Sequence, residues 1–300
     1  MAYSAADVAA ADLTLAAADK PMLGALAVYS ATASEWRTGG SFAAGADATL
    51  SGYPATRAYD GLSSVETKPN APGTTWYYML NLSGSPVTFD GVAIIGHNFG
   101  TIGGLTVTLQ IADNNAFSTN LISIAAWTPS DDARLVDLVL ESAGGAAQRY
   151  TDVPYARLLI TGTSGTPQLT ELALFKRTQL PWRPNRPYNP TLTHQVSNQT
   201  RTDAGETTAY VSSRAARHVQ ATLAVNGSAK ITEVNTWWTD TRHGTRPFVW
   251  VEYPNSAPST TTYLVAIEGE PKLDFDEIGP NFRELMIDAV EQAPNQQALE

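Results

Sequence analysis

Four histidines, His97, His194, His218 and His243, are the residues from which proton-transfer or metal chemistry would have to be built. None stands in an i, i+4 pair or an HExxH arrangement, the spacings that put side chains around a zinc ion on one helix face. Cysteine is absent, which removes thiolate metal sites, cysteine nucleophiles and disulfides together. Arg242 and His243 adjoin "HGTRP", residues 243–247, where they could polarise a substrate carbonyl. No serine elbow or paired carboxylate accompanies them, and basic residues there commonly complete a helix C-terminus. Asp274 and Asp276 in "EPKLDFDE" lie two apart and share a strand face. They could take a cation or form the wet side of an edge strand; the six to eight oxygens that calcium requires favour the second. "GTIGGL", residues 100–105, lacks the lysine and the following helix of a phosphate-cradling loop and reads as a hairpin turn. Glycoside hydrolysis would need two carboxylates roughly 5 to 10 Å apart in a cleft, and no motif names such a pair. The chain therefore reads as non-enzymatic.

Binding chemistry is better represented. The polar loop in "ATRAYDGLSSVETKPNAPGTTWYYMLNL" runs directly into Trp76, Tyr77 and Tyr78. Such a group is either a platform for a sugar ring or a strand inside a β-sandwich. Successive strand residues point to opposite faces, so Tyr77 must point away from Trp76 and Tyr78, which makes it the candidate for stacking on a sugar.

The elements that position these residues are mainly β. Three hundred residues exceed a typical single core and fit two domains. Apolar content of 43% with 16% charged residues is ordinary globular composition. A net charge of −10 argues against nucleic acid, whose phosphates call for a Lys/Arg surplus. No apolar run approaches the roughly 20 residues needed to cross a bilayer, so no membrane insertion is expected. The N-terminus is Ala-rich and acidic, without the basic start of a signal peptide. Residues 1–28 read as an arm or a short helix. Residues 29–177 are short β-rich runs broken by turn clusters: "GLTVTLQIAD" alternates cleanly as a half-exposed strand, and "FDGVAIIGHN" fits a strand covered on both sides. Residues 178–190 hold four prolines within "QLPWRPNRPYNPT" and read as a stiff linker. Residues 191–295 resume with strands, interrupted by one helix over 228–243 with Gly244 as its stop.

The ordered pieces "RAYDG", "TTWYYMLNL", "VTFDGVAIIGHN", "LTVTLQIADN", "YARLLITG" and "TPQLTELALFKR" resemble the discoidin-like, galactose-binding β-sandwich of the coagulation-factor type C family. The resemblance implies a jelly-roll β-sandwich in which Trp76 begins an inward-packed strand that Met79 and Leu82 continue. Tyr77, His97, Asn98 and Phe99 are the candidate carbohydrate contacts by exposure and chemistry, and the resemblance implies a structural calcium at Asp60 as the cofactor. The second half, with its helix carrying "WW", then "RPFVWV" and a closing "RELMIDAVEQ", looks like the tail-tube-like split β-barrel of distal tail and baseplate hub proteins of tailed bacteriophages. That likeness implies a virion structural protein, a distal or minor tail subunit made in the host cytoplasm, joining about six copies of itself into a ring. Its implied partners are other phage tail proteins and host surface glycans, with no sequence-specific nucleic acid. Unpaired strand edges covered by a neighbouring copy would suit such a ring. A non-enzymatic carbohydrate-binding module protein is the alternative.

Overall fold

The computed structural model describes residues 2–42, 47–61, 66–138, 140, 147–181, 191–193, 196–201, 207–211, 216–268, 275–279 and 282–292. In chain order the first strands are β1 (Ser4–Asp7), β2 (Met22–Leu26), β3 (Ala33–Arg37), β4 (Gly73–Asn81), β5 (Val87–Phe89), β6 (Gly91–Ile95), β7 (Leu105–Ala112), β8 (Ile122–Trp127), β9 (Leu135–Asp137) and β10 (Gln148–Val153). They are followed by β11 (Tyr155–Gly165), β12 (Glu171–Gln179), β13 (Thr191–Thr193), β14 (Val196–Arg201), β15 (Thr207–Val211), β16 (Ala216–Asn226), β17 (Phe248–Val251), β18 (Thr262–Ile267), β19 (Phe275–Gly279) and β20 (Phe282–Glu291). The helices are α1 (Ala10–Ala17), α2 (Phe99–Ile102), α3 (Ser228–Asp240) and α4 (Pro258–Thr261).

The first half is a β-sandwich. One wall is the antiparallel sheet β3-β4-β11-β7-β8. Strict alternation writes its inner face: Trp76, Tyr78 and Leu80 on β4, Leu105, Val107 and Leu109 on β7, and Ala156, Leu158 and Ile160 on β11 are all buried in one core. The opposite wall is supplied by Phe89, Tyr150 and Val153 of the small sheet β1-β10-β5, and by Val92, Ile94, Leu172 and Leu174 of β6 and β12. Burying each large apolar side chain of this kind contributes about 1.5–3 kcal/mol. Trp36 is anchored in the same core, its Nε1 donating to Thr67 Oγ1 at 2.9 Å, and the Tyr78 hydroxyl donates to the Ala55 carbonyl at 2.7 Å. Met79 departs from the expectation. It faces away from this core, because its odd spacing from Trp76 puts it on Tyr77's side, where it is buried with Ala112 and Phe117. The stretch 100–105 is not a hairpin either: β6 and β7 belong to different sheets, and the single turn of α2 carries the chain between them.

The two halves are joined by β2. All five of its residues are buried, and it lies between β12 and β17, antiparallel to both, with Gly24 opposite Arg177 on one side and Val249 on the other. A ten-stranded sheet results, in the order β13-β16-β20-β18-β17-β2-β12-β6-β9, with β19 paired to β20. One face of this sheet packs Leu23, Ala25, Phe248, Trp250 and Val265 on Val234 and Trp237 of α3. The other buries Met22, Leu26, Ala173, Phe175, Val249, Val251 and Leu264. Phe175 lies across glycines of both flanking strands: a Cβ on Gly24 would sit 2.6 Å from its Cδ2, and one on Gly91 would also collide with the ring. Glycine at both positions lets the backbone pass beneath the aromatic side chain.

Residues 1–28 thus contribute α1 and the strand that splices the halves. The Pro-rich segment 182–190 lies outside the described residues. A split barrel was the expectation for the second half; the described strands instead extend one open sheet. Insertion of β2 beside β17 carries the pairing on into the sandwich rather than back on itself. The expected flanking helix is present as α3, ending at Asp240, and Arg242, His243 and Gly244 then take φ of 50°, 57° and 77°. Left-handed backbone at non-glycine residues costs about 1–2 kcal/mol each. Hydrogen bonds from the His243 N–H to Trp238 O and the Arg246 N–H to Thr241 O offset it and turn the chain into β17.

Candidate functional site

The sequence-derived binding residues occupy different places. Tyr77 lies on the outer face of the five-stranded sheet and is half-buried. The Arg157 guanidinium sits 4.9 Å from its ring centroid and 4.3 Å from that of Phe117. Arg157 Nε donates to Gln110 Oε1 at 2.8 Å and Nη1 donates to the Gly40 carbonyl, and burial lowers the pKa of the guanidinium. The Tyr77 ring is therefore already engaged by a cation of the same sheet. His97 and Phe99 are buried, their rings stacked at 4.5 Å, with the Phe99 N–H donating to His97 Nδ1. Burial also lowers the His97 pKa. Asn98 clamps the β11–β12 connection, donating to Thr166 O at 3.1 Å and accepting from the Gln168 N–H at 2.9 Å. These three residues organise one end of the sandwich instead of forming an open surface.

Asp60 caps the turn after the 3₁₀ segment Ala55–Tyr59, and Gly61 follows with φ 76°. The Gly61 N–H donates to Glu171 Oε2 at 3.2 Å. Glu171 is buried; desolvation first and the neighbouring Asp60 charge second hold its carboxyl well above the usual carboxylate range. Asp60, the expected calcium ligand, thus has a second acid, Glu171, near it. Sequence reading singled out Asp60 and missed Glu171, whose place in the closing strand puts it across from the turn. The HGTRP motif packs here too: Arg246 lies 3.8 Å from the Tyr29 ring centroid, and the Tyr29 hydroxyl donates to Pro247 O at 2.9 Å. Arg242 and His243 belong to that turn, with His243 edge-on to Trp238.

Three further potential ligands meet on the second half. His218 of β16, Asp288 of β20 and Glu268 place ligand atoms within 4.8 Å of one another. Strand pairing across distant sequence creates the group, so local spacing does not signal it. His194 and Asp274 lie outside the described residues.

A cleft of about 340 Å³ opens between α1, α3 and β12. Helical periodicity puts Thr232, Thr236 and Asp240 on one side of α3, with Glu233 and Trp237 beside them, and all five line the cleft. Lys176, Arg177 and Thr178 of β12, Arg149 of β10, and Asp7 and Asp12 complete it. At its base Asp90, fully buried, accepts from Arg149 Nε at 2.7 Å and from the Arg177 N–H at 2.7 Å. Arg177 Nε lies 3.6 Å from the same carboxylate, and Nη1 donates to Leu138 O at 2.9 Å. Burial lowers the Arg177 pKa, against the opposing pull of Asp90. Lys230 ties α1 to α3 through Asp12 at 2.5 Å and Glu233 at 2.7 Å, while Lys176 contacts Asp240 at 3.3 Å and Gln148 donates to Asp7. Arg177 Nε and Nη2, and on the α3 side Trp237 Nε1, are buried without a hydrogen-bond partner among the described residues. Nothing local in the sequence marks this site, because its walls come from five separate segments.

No family model and no curated protein matches the chain. Solved structures similar to part of it include the chitosan-binding module 1 of a chitosanase/glucanase from Paenibacillus sp. IK-5, at 16% identity and a TM-score of 0.36, covering 50% of this chain and 98% of that one. The family 32 carbohydrate-binding module of AlyQ, in complex with 4,5-unsaturated mannuronic acid, aligns at 18% identity and a TM-score of 0.32, covering 49% and 96%. The family 32 module of C. perfringens NanJ, in complex with galactose, aligns at 15% identity and a TM-score of 0.32, covering 52% and 99%.

Proposed function

We propose that the chain is a non-catalytic saccharide-binding protein, with its β-sandwich mounted rigidly on a second β unit and its ligand held in the cleft between α1, α3 and β12. The observation that carries this reading is the side-chain set of the cleft. Threonine hydroxyls, carboxylates, the Lys176 ammonium, the Arg149 guanidinium and an indole line a volume of about 340 Å³, which suits a small ligand that both donates and accepts many hydrogen bonds. Each carboxylate of the cleft already has a cationic or amide partner. Such an arrangement favours holding hydroxyls over protonating a leaving oxygen, the step a glycosidase assigns to a carboxyl of raised pKa. The test is a glycan array probed with the whole chain and with Thr236→Arg, which fills the cleft from an exposed helix position. Binding lost in the variant at unchanged Tm supports the reading; no binding by the parent chain overturns it.

A second reading, a ring-forming tail subunit of a tailed phage virion, is favoured by the edge of the long sheet. Among the described residues β13 pairs only with β16, and Met286 on β20, the strand beyond β16, is 55% exposed. An edge strand paired on one side suits strand-to-strand contact with another copy. Light scattering followed by imaging tests it: a closed ring supports it, and a monomer both free and in particles retires it. We further propose calcium at Asp60 and Glu171. Added calcium should raise the Tm of the parent chain and leave Glu171→Gln unmoved.

A further inference from the structure

We infer that His218, Glu268 and Asp288 form a binding site for a divalent transition ion, zinc in the first place, on the face of the second half that lies opposite α3. The inference is independent of the saccharide reading. Strand register brings the three residues together. β20 runs between β16 and β18. Asp288 stands opposite Gln220 of β16 on one side, and on the other it is level with Glu268, whose N–H donates to Asp288 O at 3.0 Å just past the end of β18. Val219, Ala221, Ile287 and Ala289 point into the core beneath α3, so alternation turns His218, Gln220 and Asp288 to the other face. An imidazole and two carboxylates from three neighbouring segments therefore share one surface.

Two observations call for a cation there. Like charges level with each other across a sheet are destabilising, yet among the described residues no lysine or arginine reaches Asp288 or Glu268; their side chains meet only His218 and Gln220. Both acids also aim at the same atom. His218 Nε2 lies 2.5 Å from Asp288 Oδ1 and 3.2 Å from Glu268 Oε2. A single N–H serves one acceptor well and not two, and even a charged imidazole would leave the group with a negative charge in excess. A divalent ion bound by the ring nitrogen and both oxygens supplies what is missing. The three ligand atoms already lie within 4.8 Å of one another. Tetrahedral ligands at about 2.0–2.2 Å from zinc stand about 3.4 Å apart, so Glu268 is in range and Asp288 must retreat by roughly an ångström. Its side chain is 54% exposed and has room to do so. Gln220 Nε2, 3.3 Å from Asp288 Oδ2, steadies the oxygen that the metal leaves free. The imidazole selects the class of metal, since calcium and magnesium favour oxygen ligands alone while zinc takes mixed nitrogen and oxygen sets. A fourth position is left to water.

Isothermal titration of the tag-free full chain with zinc, calcium and magnesium chlorides, in a non-chelating buffer near neutral pH, tests the site. Zinc is expected to bind saturably, with a Kd in the micromolar range and at least tenfold tighter than magnesium. His218→Gln and Asp288→Asn should each weaken zinc by about tenfold or more while leaving the Tm of the metal-free chain within a degree or two. Zinc at about a hundred times its Kd should raise the parent's Tm by several degrees and leave His218→Gln unmoved. Calcium binding at Asp60, if present, should persist in both variants, which separates the two sites. Zinc affinity unchanged in both variants places the metal elsewhere and overturns the assignment. Absence of saturable zinc binding below about 1 mM overturns it in favour of a plain hydrogen-bonded cluster. Calcium or magnesium matching zinc, and lost equally in His218→Gln, overturns the choice of metal. Should the variants fail to fold, cobalt(II) added to the parent chain keeps the test: intense visible bands support a four-coordinate site, and a spectrum no different from that of the hydrated ion overturns it.

Discussion

Replacing Gly24 with alanine asks whether β2 holds the halves together as tightly as its burial implies. The added Cβ would stand 2.6 Å from Phe175 Cδ2, 2.9 Å from its Cγ and 3.0 Å from Val249 Cβ. Ordinary carbon–carbon contacts lie at about 3.5–4.0 Å, so the ring must retreat by roughly an ångström. It has nowhere to go, since Phe175 and Val249 are both fully buried. Overpacking of this kind costs about 1–3 kcal/mol. Acting the other way, glycine to alanine in a strand-compatible conformation gains about 0.4–1 kcal/mol through the unfolded chain. The clash should win, for a net loss of about 1–2 kcal/mol and a fall in Tm of several degrees. Calorimetry reads the Tm, and a double-mutant cycle with Phe175→Leu locates the cause. If the ring is responsible, Gly24→Ala is milder in the Phe175→Leu background, with a coupling of 0.5 kcal/mol or more on the usual scale for residues in contact. A neutral or stabilising Gly24→Ala, or strict additivity, would refute the argument that this glycine exists to pass beneath the aromatic ring.

Glu171→Gln should remove a pH dependence. The folded carboxyl is held above its unfolded pKa, so its contribution to stability is complete below the unfolded value of about 4.3 and is lost as pH rises through the folded one. In calcium-free buffer the parent chain should lose up to about 1.4 kcal/mol per pH unit across that window. The Gln variant should show a flatter urea-denaturation profile; parallel profiles would exclude Glu171 as the source. Asp90→Asn leaves two guanidinium groups without their shared anion, at about 3–5 kcal/mol for a buried pair, toward the low end because Arg149 is 34% exposed. A change below 1 kcal/mol in chemical denaturation would show that Asp90 does not hold them.

The parts of this fold that were legible in the sequence are those decided within a few residues. Alternation placed Trp76 and Tyr78 on one face and Tyr77 on the other, and the unbroken apolar run Val92–Ile95 marked a strand covered on both sides, as β6 is. The helix α3 was legible as well, although it stops at Asp240 rather than at residue 243, and the left-handed turn that releases the chain runs through Arg242 and His243 to Gly244. What escaped depends on distant pairing. "MLGAL" is a five-residue apolar run with no period of its own, and its partners lie in strands far down the chain. The open sheet followed from that pairing, not from any local signal in the second half. The cleft escaped for the same reason, since α1, α3 and β12 carry unremarkable helix and strand patterns until β2 brings them side by side. Tyr77 was placed on the correct face, but its engagement by Arg157 depended on β11, the neighbouring strand.

The position of β2 also sets a timetable for synthesis. It leaves the ribosome ahead of both its partners, Phe175–Gln179 and Phe248–Val251. At about 5–20 residues per second, the second partner follows it by roughly ten to forty-five seconds. Over that interval a short apolar segment and one edge of the nascent sandwich must each avoid other company, and the last seam of the molecule closes only when the second half arrives. Translation speed through the intervening stretch, which no contact in the finished structure records, therefore becomes a determinant of how much chain is recovered folded.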